Sequence, residues 1–252
     1  MFASIRFGYA NFYAMNPWPV VLATEWPRSI LGSIFVFLLV TQLSHQDATT
    51  ALASAVMYAM LSSVIANPSD LPNDEKWSGT VHHLRLSRIG VGGSLIARCL
   101  PVVTDALMCG AITLVVVAAL SGQLDTVPRI LSVGWLFVLA AIAGTTAGLA
   151  CAALSLGRRA EVSIYTALTF LIFAASGMVI PAGAYPWLDA IGSVLPMAHA
   201  FDGVRERLDG GTDLLTPALL EVGVIVLWTV VGIIAFWVSS LRARSAGTDA
   251  YA

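Results

Sequence analysis

The sequence predicts an all-α integral membrane protein with about six transmembrane helices in a single unit, residues 1–252. Of its 252 residues, 58% are hydrophobic and only 11% are charged, whereas a soluble domain carries about 25% charged residues. A spanning helix needs about 20 apolar residues. With short connections, a chain of this length therefore has room for about six spans and for no separate soluble domain.

Six apolar runs predict the spans in order. They fall at 29–43, 49–66, 97–120, 130–155, 162–180 and 218–239. The first run is short, and Trp18, Trp26 and Arg28 precede it like interfacial anchors, so residues 1–28 are expected to form an interfacial segment with an N-terminal helix at the membrane surface.

The basic residues predict that both termini are cytoplasmic, because Lys and Arg near span ends are retained inside. This orientation leaves only Arg129, Arg205 and Arg207 outside. The ten cytoplasmic residues are then Arg6, Arg28, Lys76, Arg85, Arg88, Arg98, Arg158, Arg159, Arg242 and Arg244.

A long connecting loop, residues 67–96, follows the second span. Asn73 is a candidate N-cap, and Asp74 and Glu75 favour the positive end of a helix dipole. Trp77 and Leu84 lie on one apolar face of the predicted helix. That face fits either a cytoplasmic partner or the membrane surface.

The interrupted segment, residues 181–212, lies between the fifth and sixth runs. It begins as an apolar stretch that prolines and glycines break repeatedly, at Pro181, Gly183, Pro186, Gly192 and Pro196. Broken backbone is tolerated at membrane depth where protein or a cavity satisfies its polar groups. We therefore expect short re-entrant helices that line a transport pathway; a loop on the outer surface is the alternative.

Three features inside the spans are also informative. Asp105 lies in the third span, where the cost of an intramembrane acid predicts that it faces protein or water. It is either a structural residue or a substrate or proton site.

Glu221 begins the last span and is expected to reach lipid headgroups. Gly144 and Gly148 form a small-xxx-small pair that allows close helix packing within one subunit or between two.

Composition also excludes several functions. A net charge of -2 with scattered basic residues lacks the basic face of a nucleic-acid binder. Cys99, Cys109 and Cys151 are odd in number and predict small core residues rather than disulfides. A P-loop needs a lysine in the pattern G-x-x-x-x-G-K-[ST], and the one lysine, Lys76, follows Glu75. ATP hydrolysis by this route is therefore excluded.

Two strings of residues together resemble the permease subunits of type-2 ABC exporters. In the connecting loop, an acid is followed by Gly-Thr and a Leu-rich stretch, at Glu75, Gly79, Thr80, Leu84 and Leu86. The family often has an Arg beside this acid, where this chain has Asp74. In and around the interrupted segment, the family order is matched by Gly177, Pro181, Pro186, Pro196, Arg205 and Gly210.

The resemblance implies the transmembrane subunit of an ATP-driven exporter in a bacterial-type inner membrane, without enzyme activity of its own. It is closest to the drug-export, daunorubicin-resistance-like branch, which carries drugs, lipids or other hydrophobic metabolites. Its implied partners are two ATPase subunits, which bring ATP and Mg, a second identical or homologous permease, and membrane lipid. The implied ATPase-coupling residues are Asp74, Glu75, Trp77, Gly79, Thr80 and Leu84. The implied pathway residues are Gly177, Pro181, Pro186, Pro196 and Arg205. An ion-coupled secondary transporter that works without an ATPase is the alternative.

Overall fold

The computed structural model describes residues 2–43, 47–77, 90–155 and 161–245, and these residues are helical with short connections. The α-helices are α1 (Phe2–Met15), α2 (Trp18–Val20), α3 (Trp26–Leu43), α4 (Ala48–Trp77), α5 (Gly90–Ser121), α6 (Val127–Ser132), α7 (Gly134–Ser155), α8 (Glu161–Ala175), α9 (Pro186–Gly192), α10 (Ala198–Leu208) and α11 (Leu215–Ser245).

Five helical stretches in the described residues are long and apolar enough to cross a membrane. They are Trp18–Gln42, Ala48–Ser69, Cys99–Ser121, Gly134–Leu154 and Leu215–Ser239. The fifth predicted run instead forms the shorter apolar helix Ser163–Ala175. At 1.5 Å per residue, its 13 residues span about 20 Å, less than the roughly 30 Å of a hydrocarbon core. The all-α membrane class is confirmed. The helix of the fifth run ends at Ala175, just before the interrupted segment, and is therefore too short to cross the membrane.

The first span is longer than the sequence predicts. Helix α2 and the π-helix Val21–Glu25 lead directly into α3. The helical backbone therefore continues through Pro27, whose missing N–H leaves one helical hydrogen bond unmade. Residues 18–28 therefore continue the first span, and α1 alone is a separate N-terminal helix. Trp26 is buried rather than placed as an interfacial anchor.

Helix α4 is the centre of the bundle and packs against α3, α5 and α7, while α7 packs along α11. The α4–α7 contact is close because of Gly148, where a Cβ would lie only 2.7 Å from the Ile65 carbonyl oxygen. The Ser69 hydroxyl donates across the same contact to the Gly148 carbonyl at 3.1 Å. The Gly144–Gly148 pair therefore packs two helices of one chain.

The connecting loop differs from its prediction at both ends. Helix α4 continues through Pro72 and Asn73 to Trp77, so Asn73 does not begin a new helix, and α5 begins at Gly90. The apolar residues at 64–66 and the polar residues that follow form one helix, because a long helix can leave the membrane without changing its backbone. Residues 78–89 lie outside the described part of the chain.

Candidate functional site

The interrupted segment and the turn that precedes it contain the predicted pathway residues. Helix α8 ends at Ala175, and Gly177 follows with φ +82°. This left-handed conformation strongly favours glycine. A Cβ at Gly177 would lie 3.7 Å from Asp202 Oδ1 and 3.9 Å from Arg205 Nη1. The structure thus brings Gly177 and Arg205 together, although 28 positions separate them in the chain.

The prolines divide the segment into two short helices. Pro181 opens the turn that follows α8, and Pro186 lies at the first position of α9, where proline is well tolerated. The Asp189 carboxylate accepts the Gly183 N–H with both oxygens, at 3.2 and 3.0 Å, and folds the turn onto α9. Buried Pro196 separates α9 from α10.

A buried glutamate binds the beginning of α10. Glu221 of α11 has no exposed surface. Its Oε1 accepts the Met197 N–H at 2.7 Å, and its Oε2 accepts the Ala200 N–H at 2.9 Å. The first N–H groups of a helix have no partner within the helix and carry a partial positive charge, so the carboxylate satisfies them by hydrogen bonds and by charge.

The position of Glu221 corrects the expectation that it reaches lipid headgroups. Its side chain faces the protein because α10 presents unpaired donors at that depth, and an acid within a span is stabilised by such partners. The sequence carried a signal for this contact. Pro196 predicts a new helix start in an apolar setting, and such a start needs an acceptor.

Two more contacts hold α10 in place. The Trp228 indole N–H of α11 donates to the Val194 carbonyl at 3.0 Å. Met197, which has φ +74°, precedes α10. A Cβ added to Gly144 of α7 would lie 3.6 Å from the Met197 Sδ and would also contact the Val64 side chain of α4. The start of α10 therefore contacts both α4 and α7.

Polar and charged residues lie on the other part of α10. Burial raises the pKa of Asp202 above its usual range, although the charges of Arg205 and His199 act in the opposite direction. The His199 Nε2 lies 3.0 Å from the Ser193 carbonyl oxygen. Helix α10 also contacts α6, so the connection between α5 and α7 lies at the same end of the bundle.

Asp105 forms a second polar cluster, with no residue in common with the first. Its side chain is buried in α5 and faces protein, as the sequence predicts. The Trp26 indole N–H donates to Oδ1 at 3.4 Å, and the Ser63 hydroxyl donates to Oδ2 at 3.3 Å. Asn67 in turn donates to Ser63 Oγ at 3.1 Å.

The predicted ATPase-coupling residues are only partly described. The backbone at Asp74, Glu75 and Trp77 forms the last part of α4, beyond the end of the candidate span at Ser69. Gly79, Thr80 and Leu84 lie outside the described residues. The cysteine prediction, in contrast, is confirmed, because Cys99, Cys109 and Cys151 are free and buried.

Comparison with known proteins identifies the family. No curated protein matches the chain. The family model described as ABC-2 type transporter matches residues 14–208, from the end of α1 to the end of α10. This match covers more than half of the chain and includes all the residues on which the resemblance rests except Gly210. The chain therefore belongs to the ABC-2 type transporter family and is a transmembrane permease component of an ABC transporter.

Proposed function

We propose that this permease forms the export pathway for a drug, lipid or other hydrophobic metabolite and is driven by ATPase subunits that bind the end of α4. Association with ATP-binding subunits is a general property implied by the family. The proposal assigns that association to Asp74, Glu75 and Trp77 together with Gly79, Thr80 and Leu84, and it assigns the pathway to the interrupted segment.

The observation that carries the proposal is the continuity of α4. This helix runs without a break from Ala48 to Trp77, a length of about 45 Å, and its Val64 borders the contact between Gly144 and Met197 at the start of α10. A displacement of the Trp77 end would therefore be transmitted to α10 through packed side chains. Such a route fits a transporter in which closure of the ATPase pair opens the outer side of the pathway.

A second permease, identical or homologous, completes the proposed pathway. The spans Trp18–Gln42 and Leu215–Ser239 have the smallest buried shares of the five. Their exposed side chains include Phe35, Leu219, Ile233 and Trp237. In the proposed inner-membrane location, with both termini in the cytoplasm, these faces contact lipid or the partner permease. Drug efflux with antibiotic resistance is the cellular activity that the proposal predicts.

The experiment is co-purification of the permease with its candidate ATPase, followed by ATP-dependent export from reconstituted vesicles. Glu75→Gln combined with Gly79→Leu is expected to lower both association and export at least tenfold. Asp125→Asn is the matched control, because Asp125 is exposed in a connection at the end of the bundle that contains α10. Unchanged association and export in the double variant would contradict the coupling assignment, and export without any ATPase would favour the ion-coupled alternative.

A further inference from the structure

A small polar cavity lies between the beginning of the first span and helices α4 and α5. Its volume is about 60 Å³, which is room for a few water molecules. Most of its lining side chains are polar or charged, an unusual surface inside an apolar bundle. The residues that matter here are Glu25, Trp26, Ser29, Ser63, Asn67 and Asp105.

Asp105 is the one buried charged group that lines this cavity among the described residues. An ionised carboxylate offers about four acceptor positions. From the residues that the structure describes, Asp105 receives two hydrogen bonds, both long, at 3.4 and 3.3 Å. Its charge is therefore weakly compensated by the protein groups that the structure describes.

The described charged side chains that line the cavity, Glu25, Arg28 and Asp105, add up to a single negative charge. Glu25 and Arg28 form an ion pair at 3.3 Å, with side chains 51% and 72% exposed, so they neutralise each other at the mouth. No described basic side chain forms an ion pair with Asp105. Arg98 lies seven residues earlier on the same helix, a rise of about 10 Å. An uncompensated buried carboxylate is costly, so one positive charge in the cavity would stabilise the bundle.

We infer that this cavity binds one small monovalent cation, such as sodium, potassium or ammonium, with Asp105 as its anionic ligand. The Ser63 and Ser29 hydroxyls, the Asn67 amide oxygen and water supply neutral oxygen ligands. Calcium and magnesium are disfavoured because they are held mainly by several carboxylates or by phosphates, and one carboxylate would leave a net positive charge in the bundle. Organic cations larger than a few atoms exceed the volume. The cation joins the beginning of the first span to α4 and α5.

The first test is the melting temperature of the purified full chain in detergent. N-methyl-D-glucamine chloride, whose cation is too large for the cavity, is replaced by sodium, potassium or ammonium chloride at constant ionic strength. A saturable rise in melting temperature, of roughly 5 °C at a hundredfold excess over Kd, is expected. Asp105→Asn abolishes the rise and Asp125→Asn preserves it. Equal melting in all the salts overturns the inference, as does a response that persists in Asp105→Asn.

If Asp105→Asn fails to fold, direct measurement of cation binding to the unsubstituted protein tests the proposal instead. Equilibrium dialysis with radiolabelled sodium, potassium and ammonium is expected to give one site per chain for at least one of these ions. Ser63→Ala, which keeps the carboxylate, is expected to weaken that binding about tenfold. A melting temperature that changes with pH, without binding of any of the three ions, would make a proton the sole occupant and overturn the proposal.

Discussion

The Glu221 carboxylate of the last span lies 2.7 Å from the backbone nitrogen of Met197, the residue that precedes α10. This hydrogen bond, with its companion to Ala200, ties the interrupted segment to α11. It also places a buried charge at the positive end of a helix dipole. The position of α10 therefore depends on a residue outside the matched family region, residues 14–208.

Replacing Glu221 with alanine is expected to lower the free energy of unfolding by roughly 2–5 kcal/mol, because two buried N–H groups lose their acceptor. Glu221→Gln keeps an acceptor oxygen and loses less. The measurement is equilibrium unfolding in mixed micelles. Asp125→Ala, at an exposed position, serves as the control and should change stability by no more than about 0.5 kcal/mol. A Glu221→Ala variant as stable as this control would contradict the assigned role.

Gly148→Ala is expected to destabilise the α4–α7 contact by about 1–3 kcal/mol, because the added Cβ would overlap the Ile65 carbonyl oxygen. Gly223→Ala in α11 is the matched control, since nothing lies within 4 Å of its Cβ position. That control should be neutral or stabilising by up to about 1 kcal/mol, as expected for alanine in a helix. Thermal unfolding of the two variants in the same detergent measures the difference, and equal stabilities would argue against the close packing.

Gly177→Val is expected to destabilise the turn after α8 by at least 1–2 kcal/mol, because the position has φ +82°. Gly177→Asn should lose less, since asparagine adopts this conformation more readily. The order of the melting temperatures, glycine above asparagine above valine, checks the prediction. If valine were tolerated as well as asparagine, backbone conformation would not be the reason for glycine at this position.

Asp202 should make the protein less stable as the pH rises. Burial raises the pKa of Asp202 in the folded state, so the folded chain binds more protons than the unfolded chain between the two pKa values. The free energy of unfolding then falls as pH increases through that interval. Asp202→Asn should remove this decrease and stabilise the protein at neutral pH, as melting temperatures between about pH 4 and pH 8 would show. An unchanged pH profile in the variant would contradict the prediction.

Asp213 should change the pH dependence of stability in the direction opposite to Asp202, because its pKa is shifted in the opposite direction. Hydrogen bonds from the Thr216 side chain and backbone hold the pKa of Asp213 below its usual range, and the Thr216 N–H lies 3.2 Å from Oδ1. Its stabilising effect is present above the unfolded-state pKa and is lost as pH falls through the folded-state pKa. Asp213→Asn should therefore lower the melting temperature at neutral pH and leave it unchanged at low pH, where Asp213 is already protonated. Asp202→Asn should instead raise the melting temperature at neutral pH.

The sequence predicts the helices well where one physical requirement dominates. Apolar length alone locates four of the five long spans, and the prolines at 181, 186 and 196 correctly divide the interrupted segment. The cost of an intramembrane acid correctly predicts that Asp105 faces protein. In these cases the structure is decided by neighbouring residues in the chain, or by whether a side chain faces protein or lipid.

The errors arise where contacts between distant segments decide the outcome. Trp26 resembles an interfacial anchor in sequence, but it is buried because Asp105 accepts its N–H. Glu221 has the position of a headgroup contact, but α10 supplies donors that hold it inside. Asn73 has the sequence signal of an N-cap, but α4 passes through it. In each case the local preference is weaker than the tertiary arrangement.

Site-specific cross-linking tests the central claim most directly. A photoreactive amino acid is placed at position 77 of the full chain, at the end of α4, and in a second variant at position 125, in the connection at the other end of the bundle. The assembled transporter is irradiated with and without ATP. The account predicts cross-links to the ATPase subunit from position 77, changed in yield by ATP, and none from position 125. Cross-links from position 125 instead, or none from either position in an ATPase-dependent exporter, would contradict it.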